Sequence, residues 1–200
     1  KNGDPTNLWP IWHSSPAGAN MSFGGPLEPG DDSGSQWKHF PQLGFRGDGE
    51  LWLAWIEIGP APGYDKQGFF ARESNGFLSE MIPSVNTPCD CCQANFIIGN
   101  NGDALFTWRS EVDTGNAVER DPILFIAPDG QNSFTSEVEM STTTWNLNQC
   151  PQQGVQLADG PDALHATWAD TTDGEYTTWV VKSTDGGQNW STELEVAPSL

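Results

Sequence analysis

A repeated pattern of strands and turns is the feature that most constrains the fold of this chain. Three segments each place a glycine-containing turn before an apolar run that closes on tryptophan: RGDGELWLAW, GNNGDALFTW and ADGPDALHATW, ending at Trp55, Trp108 and Trp168. A second apolar run follows each and leads through another turn to an aromatic residue, at Phe77, Phe134 and Trp190. The tryptophan-to-aromatic spacings are therefore 22, 26 and 22 residues.

These spacings predict an all-β protein. Strand and turn signals recur every ~8–12 residues, and no stretch shows helical periodicity. A period of roughly 50–60 residues with about four short strands is typical of a propeller blade. We therefore predict a single domain, 1–200, with three blade-like antiparallel β repeats at 37–88, 89–144 and 145–200. Closed propellers have ~4–8 blades, so we expect a partial or irregular propeller-like body, or two chains that join.

The first 36 residues differ from the repeats. They are so rich in proline and glycine that the segment cannot form regular strand throughout. We predict a loop-rich N-terminal segment, 1–36, that wraps over the body and is anchored by Trp9 and Trp12.

Charge excludes several kinds of partner. The chain has 27 acidic and 8 basic side chains, a formal net charge of −19. The electric field of so acidic a protein repels nucleic acid and anionic membrane surfaces. The 10 tryptophans, 2 tyrosines and 10 phenylalanines supply material for a core, which argues against disorder.

No apolar run approaches the ~20 residues of a membrane span. We expect a secreted or cell-surface protein, a mature product beginning at Lys1, at most peripherally associated with the outer surface.

Four cysteines allow disulfides or a metal site: Cys89, Cys91, Cys92 and Cys150. An even count in an acidic chain suggests an oxidising compartment and one or two disulfides. Adjacent Cys91 and Cys92 point to opposite faces of an extended chain, so we expect one of them to bond Cys150. The C-x-C-C run also resembles a soft-metal cluster, although zinc would require a second closely spaced ligand pair.

The third repeat contains a more specific motif. Its segment 183–190, STDGGQNW, matches the pattern S-x-D-x-G-x-x-W. Ser183 and Asp185 can hydrogen-bond the turn backbone, Gly187 can adopt positive φ, and Trp190 can pack beneath the hairpin. This motif resembles the Asp-box of sialidase-like (BNR) β-propellers. The resemblance implies blade architecture, and it says little about function because the motif is structural.

The sialidase resemblance raises the question of an enzyme. Sialidase chemistry needs an arginine cluster for the substrate carboxylate, together with a tyrosine nucleophile and a glutamate. The chain has four arginines and two tyrosines: Arg46, Arg72, Arg109, Arg120, Tyr64 and Tyr176. Because cationic groups are so few, we predict no catalytic residues and a protein that is not an enzyme. A glycoside hydrolase is the less favoured alternative.

A tryptophan and a histidine two residues apart, Trp37 and His39, point to one face of an extended strand. Imidazole is a common ligand of copper. The Trp-x-His arrangement resembles the copper-binding surface proteins of methane-oxidising bacteria (the MopE and CorA type), in which the tryptophan is oxidised to kynurenine. The resemblance implies one copper ion held by oxidised Trp37, His39 and a second histidine. We expect that histidine to be His165, with His13 as the alternative, and a role in copper capture or homeostasis.

Two further interpretations remain open. The protein could instead be a non-catalytic, sialidase-like propeller module that binds a glycan or a protein partner. An exposed cluster of Trp9, Trp12 and Trp37 would suit sugar stacking. Calcium is also a candidate cofactor, because Asp170 and Asp173 place oxygen ligands near a glycine-containing turn. Oligomeric state is not predicted.

Overall fold

Three four-stranded antiparallel sheets form most of the protein, as the repeat predicts. The structure is a computed structural model and describes residues 14–17, 20–23, 37–59, 66–149, 151–172 and 175–196. The sequence predictions for Trp9, Trp12, His13, Cys150 and Asp173 lie outside these residues. Ahead of the sheets, a short hairpin pairs β1 (Ser14–Ala17) with β2 (Asn20–Phe23).

The sheets follow one another along the chain, and each is a simple meander. Sheet 1 contains β3 (Trp37–Phe45), β4 (Leu51–Ile58), β5 (Lys66–Arg72) and β6 (Glu80–Met81), with a short 3-10 helix at Glu73–Asn75. Sheet 2 contains β7 (Asn95–Ile98), β8 (Ala104–Arg109), β11 (Pro122–Ala127) and β12 (Ser136–Glu139). Between β8 and β11, β9 (Val112–Asp113) and β10 (Val118–Glu119) form a two-stranded ribbon.

Sheet 3 contains β13 (Gln156–Asp159), β14 (Leu164–Thr172), β15 (Glu175–Ser183) and β16 (Leu194–Val196). The first strands of the three sheets are neighbours, because β7 contacts both β3 and β13. This is how blades are arranged around a propeller axis. No helix in the described part of the chain is long and apolar enough to cross a membrane.

Two hydrophobic cores, one of them rich in aromatic side chains, hold the sheets face to face. The core between sheets 1 and 2 includes Trp52, Phe70, Phe106 and Trp108, all essentially buried. Gly68 on β5 leaves room for the Trp108 ring, where any side chain would clash. The core between sheets 2 and 3 is built largely from aliphatic side chains with Trp168. Every residue of β4 and β8 is buried, because both faces of these strands are covered.

The sheets have two distinct ends. We call one the turn end: it carries the β3–β4, β7–β8 and β13–β14 turns, residues 46–50, 99–103 and 160–163, with the Asp-box hairpin beside them. Hydrogen bonds join these turns, for example from the Asn100 amide to the Gly160 carbonyl oxygen at 3.1 Å. The opposite end, where β8 finishes beside the loop 88–94, is called the cysteine end.

Candidate functional site

The cysteine end holds a C-x-x-C disulfide. Cys89 and Cys92 are bonded across a turn in which the Cys92 N–H donates to the Cys89 carbonyl at 3.4 Å. Both are fully buried, and Cys91 is half-buried with its sulfur 3.3 Å from that of Cys89. Cys92 is therefore not the cysteine that bonds Cys150, because the loop turns back and places Cys92 beside Cys89. A bond between Cys91 and Cys150, the other predicted pairing, stays a prediction, since Cys150 lies outside the described residues. Cys91 is itself disulfide-bonded.

A network of charged side chains surrounds the disulfide. The Arg120 guanidinium donates to the Cys89 sulfur and to the Glu111 carboxylate, both at 3.0 Å. The Glu111 carboxylate also accepts from the Lys66 ammonium at 2.7 Å, and that ammonium lies 3.3 Å from the Asp90 carboxylate. These contacts connect the cysteine loop to both sheet 1 and sheet 2.

Next to this network, Arg109 joins sheet 2 to sheet 3. Its fully buried guanidinium donates to the Gln153 carbonyl at 2.9 Å and the Arg120 carbonyl at 2.8 Å, and also to the Ala169 carbonyl. The guanidinium carbon lies 4.5 Å above the Trp145 ring. Burial lowers the pKa of Arg109 to about 10, so the group remains charged at neutral pH. Arg109 therefore stabilises the scaffold.

Two buried carboxylates face this interface. Asp121 accepts from the Trp145 N–H at 2.8 Å, and burial raises the pKa of Asp121 to about 6. Asp170 accepts from the Trp179 indole at 2.6 Å, and burial likewise raises its pKa. Asp170 was predicted as a possible calcium ligand near a turn. It lies within β14, two residues before the strand ends at Thr172, and points into the sheet 2–sheet 3 interface. Calcium binding stays a prediction, because Asp173 lies outside the described residues.

The remaining two arginines also belong to the scaffold. Arg46 donates to the carbonyls of Gln131 at 2.8 Å and Ala127 at 3.0 Å, at the turn end. Arg72 donates to the Ser74 hydroxyl at 3.0 Å and to Glu80 at 3.2 Å. All four arginines of the chain are thus nearly buried and committed to internal hydrogen bonds, with exposed fractions of 0–8%. Arg46 and Arg109 lie at the ends of strands, but their side chains do not face solvent.

The histidines predicted to share copper are not brought together. His39 lies near the start of β3, opposite Ile56, with its ring edge-on to Phe40 at 5.7 Å. His165 is exposed and follows the 160–163 turn on β14. His39 therefore lies at the cysteine end and His165 at the turn end. Along the strand direction alone, the two residues are roughly 15–20 Å apart, as the rise per residue of a strand gives. Only the backbone of Trp37 is described, where it pairs with Ile58.

The Asp-box forms a hydrogen-bonded hairpin at the turn end. The Gly187 N–H donates to the Ser183 hydroxyl at 2.8 Å, and the Asn189 N–H donates to Asp185 at 2.9 Å. Those hydrogen bonds from Asn189 hold the pKa of Asp185 at about 2. Trp190 packs against the core between sheets 2 and 3. The motif therefore closes that core at the turn end.

A different surface stands out on the opposite side of sheet 3. In antiparallel pairs, opposed residues share one face. Leu157, Trp168 and Val181 point toward sheet 2. The alternate positions form what we call the outer face of sheet 3: Gln156, Ala158, His165, Thr167, Ala169, Thr171, Tyr176, Thr178, Val180, Lys182, Leu194 and Val196.

Among the side chains that the structure describes, the outer face of sheet 3 carries no carboxylate, although the chain has 27 aspartates and glutamates. Its most prominent aromatic group is Tyr176, which is 66% exposed, and Val196 on the neighbouring strand is 45% exposed. The Thr178 hydroxyl lies on the same face, whereas the Thr171 hydroxyl opposite the ring accepts from the Trp145 indole at 2.8 Å. Sequence reasoning missed this surface. The segment 164–172, LHATWADTT, could have indicated it, because side chains that point to opposite faces alternate along a strand.

Comparison with known proteins shows the fold. No protein-family model matches the chain, and no curated protein matches it. Among solved structures it is similar to a Hadza microbial sialidase, with a TM-score of 0.52 and 14% identity over 82% of this chain. A GH32 β-fructofuranosidase of Bombyx mori has a TM-score of 0.47 and 15% identity over 81% of this chain. The chain spans about a third of each, 35%. The fold is therefore all-β with propeller-like sheets.

Proposed function

We propose that this protein is a non-catalytic, propeller-like binding module whose ligand is a neutral glycan, bound on the outer face of sheet 3. The observation that carries the proposal is the composition of that face in the described part of the chain: an exposed tyrosine beside a threonine hydroxyl, without a carboxylate, in a chain of charge −19.

The chemistry of that face suits sugars. A phenol ring offers an apolar surface with a polar edge, which matches the apolar face and hydroxyl rim of a pyranose. Thr178 lies two residues from Tyr176 on the same face, so its hydroxyl flanks the ring. Tyr176 lies on a strand that is paired on both sides, with β14 and β16, which limits the backbone entropy lost when a ligand binds.

The arginines argue against the hydrolysis of anionic sugars. A carboxylate-bearing substrate is usually held by guanidinium groups that point into an open cleft. Here all four guanidinium groups donate within the scaffold, and Arg109 alone satisfies three carbonyls. Exposing Arg46, Arg109 or Arg120 would leave carbonyl groups unpaired at a cost of about 1–3 kcal/mol each.

A glycan array with neutral and sialylated oligosaccharides tests the proposal, followed by calorimetric titration of the best ligand. We expect neutral glycans to bind and Tyr176→Ala to weaken binding about three- to tenfold. Thr178→Arg, which fills the same surface, should weaken it as much. Leu78→Ala is the control, because Leu78 is 68% exposed on sheet 1.

Chelator should leave glycan binding unchanged. A silent array, or a preference for sialylated glycans, would contradict the proposal. If Tyr176→Ala and Leu78→Ala behaved alike, the ligand would bind elsewhere. Binding to a basic protein partner with a silent array would favour a protein-recognition module instead.

A further inference from the structure

The cysteine end carries an arrangement that the glycan proposal does not use. Three sulfur atoms, those of Cys89, Cys91 and Cys92, lie within 4.8 Å of one another. A metal bonded to three sulfurs at about 2.3 Å holds them about 4 Å apart. In the oxidised form the sulfurs are closer than this, because Cys89 is bonded to Cys92 and lies 3.3 Å from the sulfur of Cys91. A small outward shift of the three sulfurs after reduction would give the spacing of a three-sulfur metal site.

We propose that the reduced form of this cluster binds one Cu(I) ion through Cys89, Cys91 and Cys92. Thiolates are soft ligands that select Cu(I), zinc and iron–sulfur clusters. A set of three thiolates favours Cu(I) among these, because structural zinc takes four ligands and an iron–sulfur cluster is usually held by four cysteines. The disulfide-bonded form described here offers no thiolate, since none of the described cysteines is free. Copper binding is therefore gated by the redox state of the loop.

The chemical step is ordinary thiol–disulfide exchange. A dithiol reductant transfers two electrons and two protons to the Cys89–Cys92 bond and becomes a cyclic disulfide itself. The bond that holds Cys91 is reduced in the same way. Cu(I) then replaces the thiol protons, which pass to water, and the copper does not change oxidation state.

The loop is held in place by contacts other than the disulfide, so its shape should survive reduction. The Cys89 N–H donates to the Arg109 carbonyl at 2.8 Å, and the Glu111 N–H donates to the Thr87 carbonyl at 2.7 Å. Pro88 forms a β-bridge with Ser110. These backbone contacts fix the chain on the N-terminal side of the cluster.

The charges around the loop favour thiolates. Arg120 already donates to the Cys89 sulfur at 3.0 Å, and a guanidinium beside a thiol stabilises its anion. Lys66 balances Glu111 and Asp90 nearby. Three thiolates with one Cu(I) carry two negative charges, and Arg120 offsets part of that charge.

Cu(I) titration under anaerobic conditions tests the proposal. Protein reduced with a phosphine, then freed of it, is titrated with Cu(I) against bathocuproine disulfonate, and sulfur-to-copper absorption is followed in the ultraviolet. We expect one Cu(I) per reduced chain and none per oxidised chain. Intact mass of the complex gives the stoichiometry independently.

Two single-cysteine variants form a matched pair, because each removes one thiol from the reduced protein. Cys91→Ser should weaken Cu(I) binding by at least about 100-fold, since losing even an outer-shell partner of a metal commonly costs 10–100-fold. Cys150→Ser should change binding by less than about threefold.

Equal losses in the two variants would overturn the three-sulfur site, as would equal binding by oxidised and reduced protein. Circular dichroism and tryptophan fluorescence of the reduced chain supply the remaining check. If reduction unfolds the protein, the claim that contacts other than the disulfide hold the loop is wrong, and the proposal fails with it.

Discussion

The two faces of sheet 3 differ in what they contact. The inner face packs on sheet 2 through Leu157, Trp168 and Val181, and it carries the buried Asp170 and the Asp-box. None of the hydrophobic cores of the described residues includes a side chain from the outer face. One sheet thus combines a structural face with an accessible one.

This contrast separates stability from recognition. Burying a side chain as large as tryptophan supplies several kcal/mol, whereas an exposed side chain contributes little to folding and is available to a ligand. Mutations on the inner face should therefore change the free energy of unfolding, and mutations on the outer face should change only binding.

The largest expected effect is on the inner face. Trp168→Ala should lower the free energy of unfolding by about 3–5 kcal/mol, because it removes a nearly buried indole and leaves a cavity. Tyr176→Ala, on the outer face, should change it by less than about 0.5 kcal/mol. Urea denaturation followed by circular dichroism measures both. Comparable losses in the two variants would break the distinction between the faces.

Arg109 extends the inner face at the cysteine end, where it holds the Ala169 carbonyl of sheet 3. Arg109→Lys should destabilise the protein by about 2–3 kcal/mol, because an ammonium cannot reach all three carbonyls that the guanidinium satisfies. Arg72→Lys is the control. Its guanidinium meets the side chains of Ser74 and Glu80 near the surface, and we expect a loss below about 1 kcal/mol. The same urea denaturation applies, and equal losses would show that carbonyl pairing is not the cause.

Gly187 tests the other end of the same interface. Gly187→Ala should cost about 2 kcal/mol, because φ is +93° and the added Cβ would lie 2.5 Å from Leu124 of sheet 2. Gly186→Ala is a close control, since its φ of +73° is also positive but the nearest atom would be 3.5 Å away. Thermal melts of the two variants separate backbone strain from the clash. A larger loss for Gly186→Ala would contradict the packing explanation.

The sequence predicted the architecture because each repeat of turns and apolar runs corresponds to one four-stranded sheet. Each glycine turn and each closing tryptophan marks one blade, and the motif at 183–190 fixes which hairpin lies at the turn end. His165 directly follows such a turn and His39 precedes one by several residues. Strand direction therefore places them at opposite ends, a consequence that the Trp-x-His pattern alone does not reveal.

The cysteine pairing could not be read from spacing in the same way. Three cysteines within four residues allow several bonds, and the choice depends on whether the chain is extended or turned. The turn at Cys89–Cys92 depends on contacts with Arg109 and Arg120 from other strands. Such long-range contacts leave no local signal in the sequence.

The smallest effect concerns pH and Asp121, the buried carboxylate that directly precedes β11 of sheet 2. Burial raises the pKa of Asp121 to about 6, from an ordinary value of 3.8. The folded state therefore binds this proton more tightly than the unfolded state, so the group's stabilising contribution is complete below about pH 3.8 and is lost as pH rises to about 6. Asp121→Asn keeps an oxygen that can accept from the Trp145 N–H and removes the titration.

Between pH 4 and pH 6.5, wild type should therefore lose about 1–2 kcal/mol of stability relative to Asp121→Asn, after allowance for partial solvent screening. Urea midpoints across this range measure the difference, in which the titration of Asp170 and Asp185 cancels because both proteins share it. A difference that stays constant with pH would show that folding does not shift the pKa of Asp121. A difference that grows in favour of wild type would reverse the sign and place a stabilising cation beside Asp121, most directly Arg109.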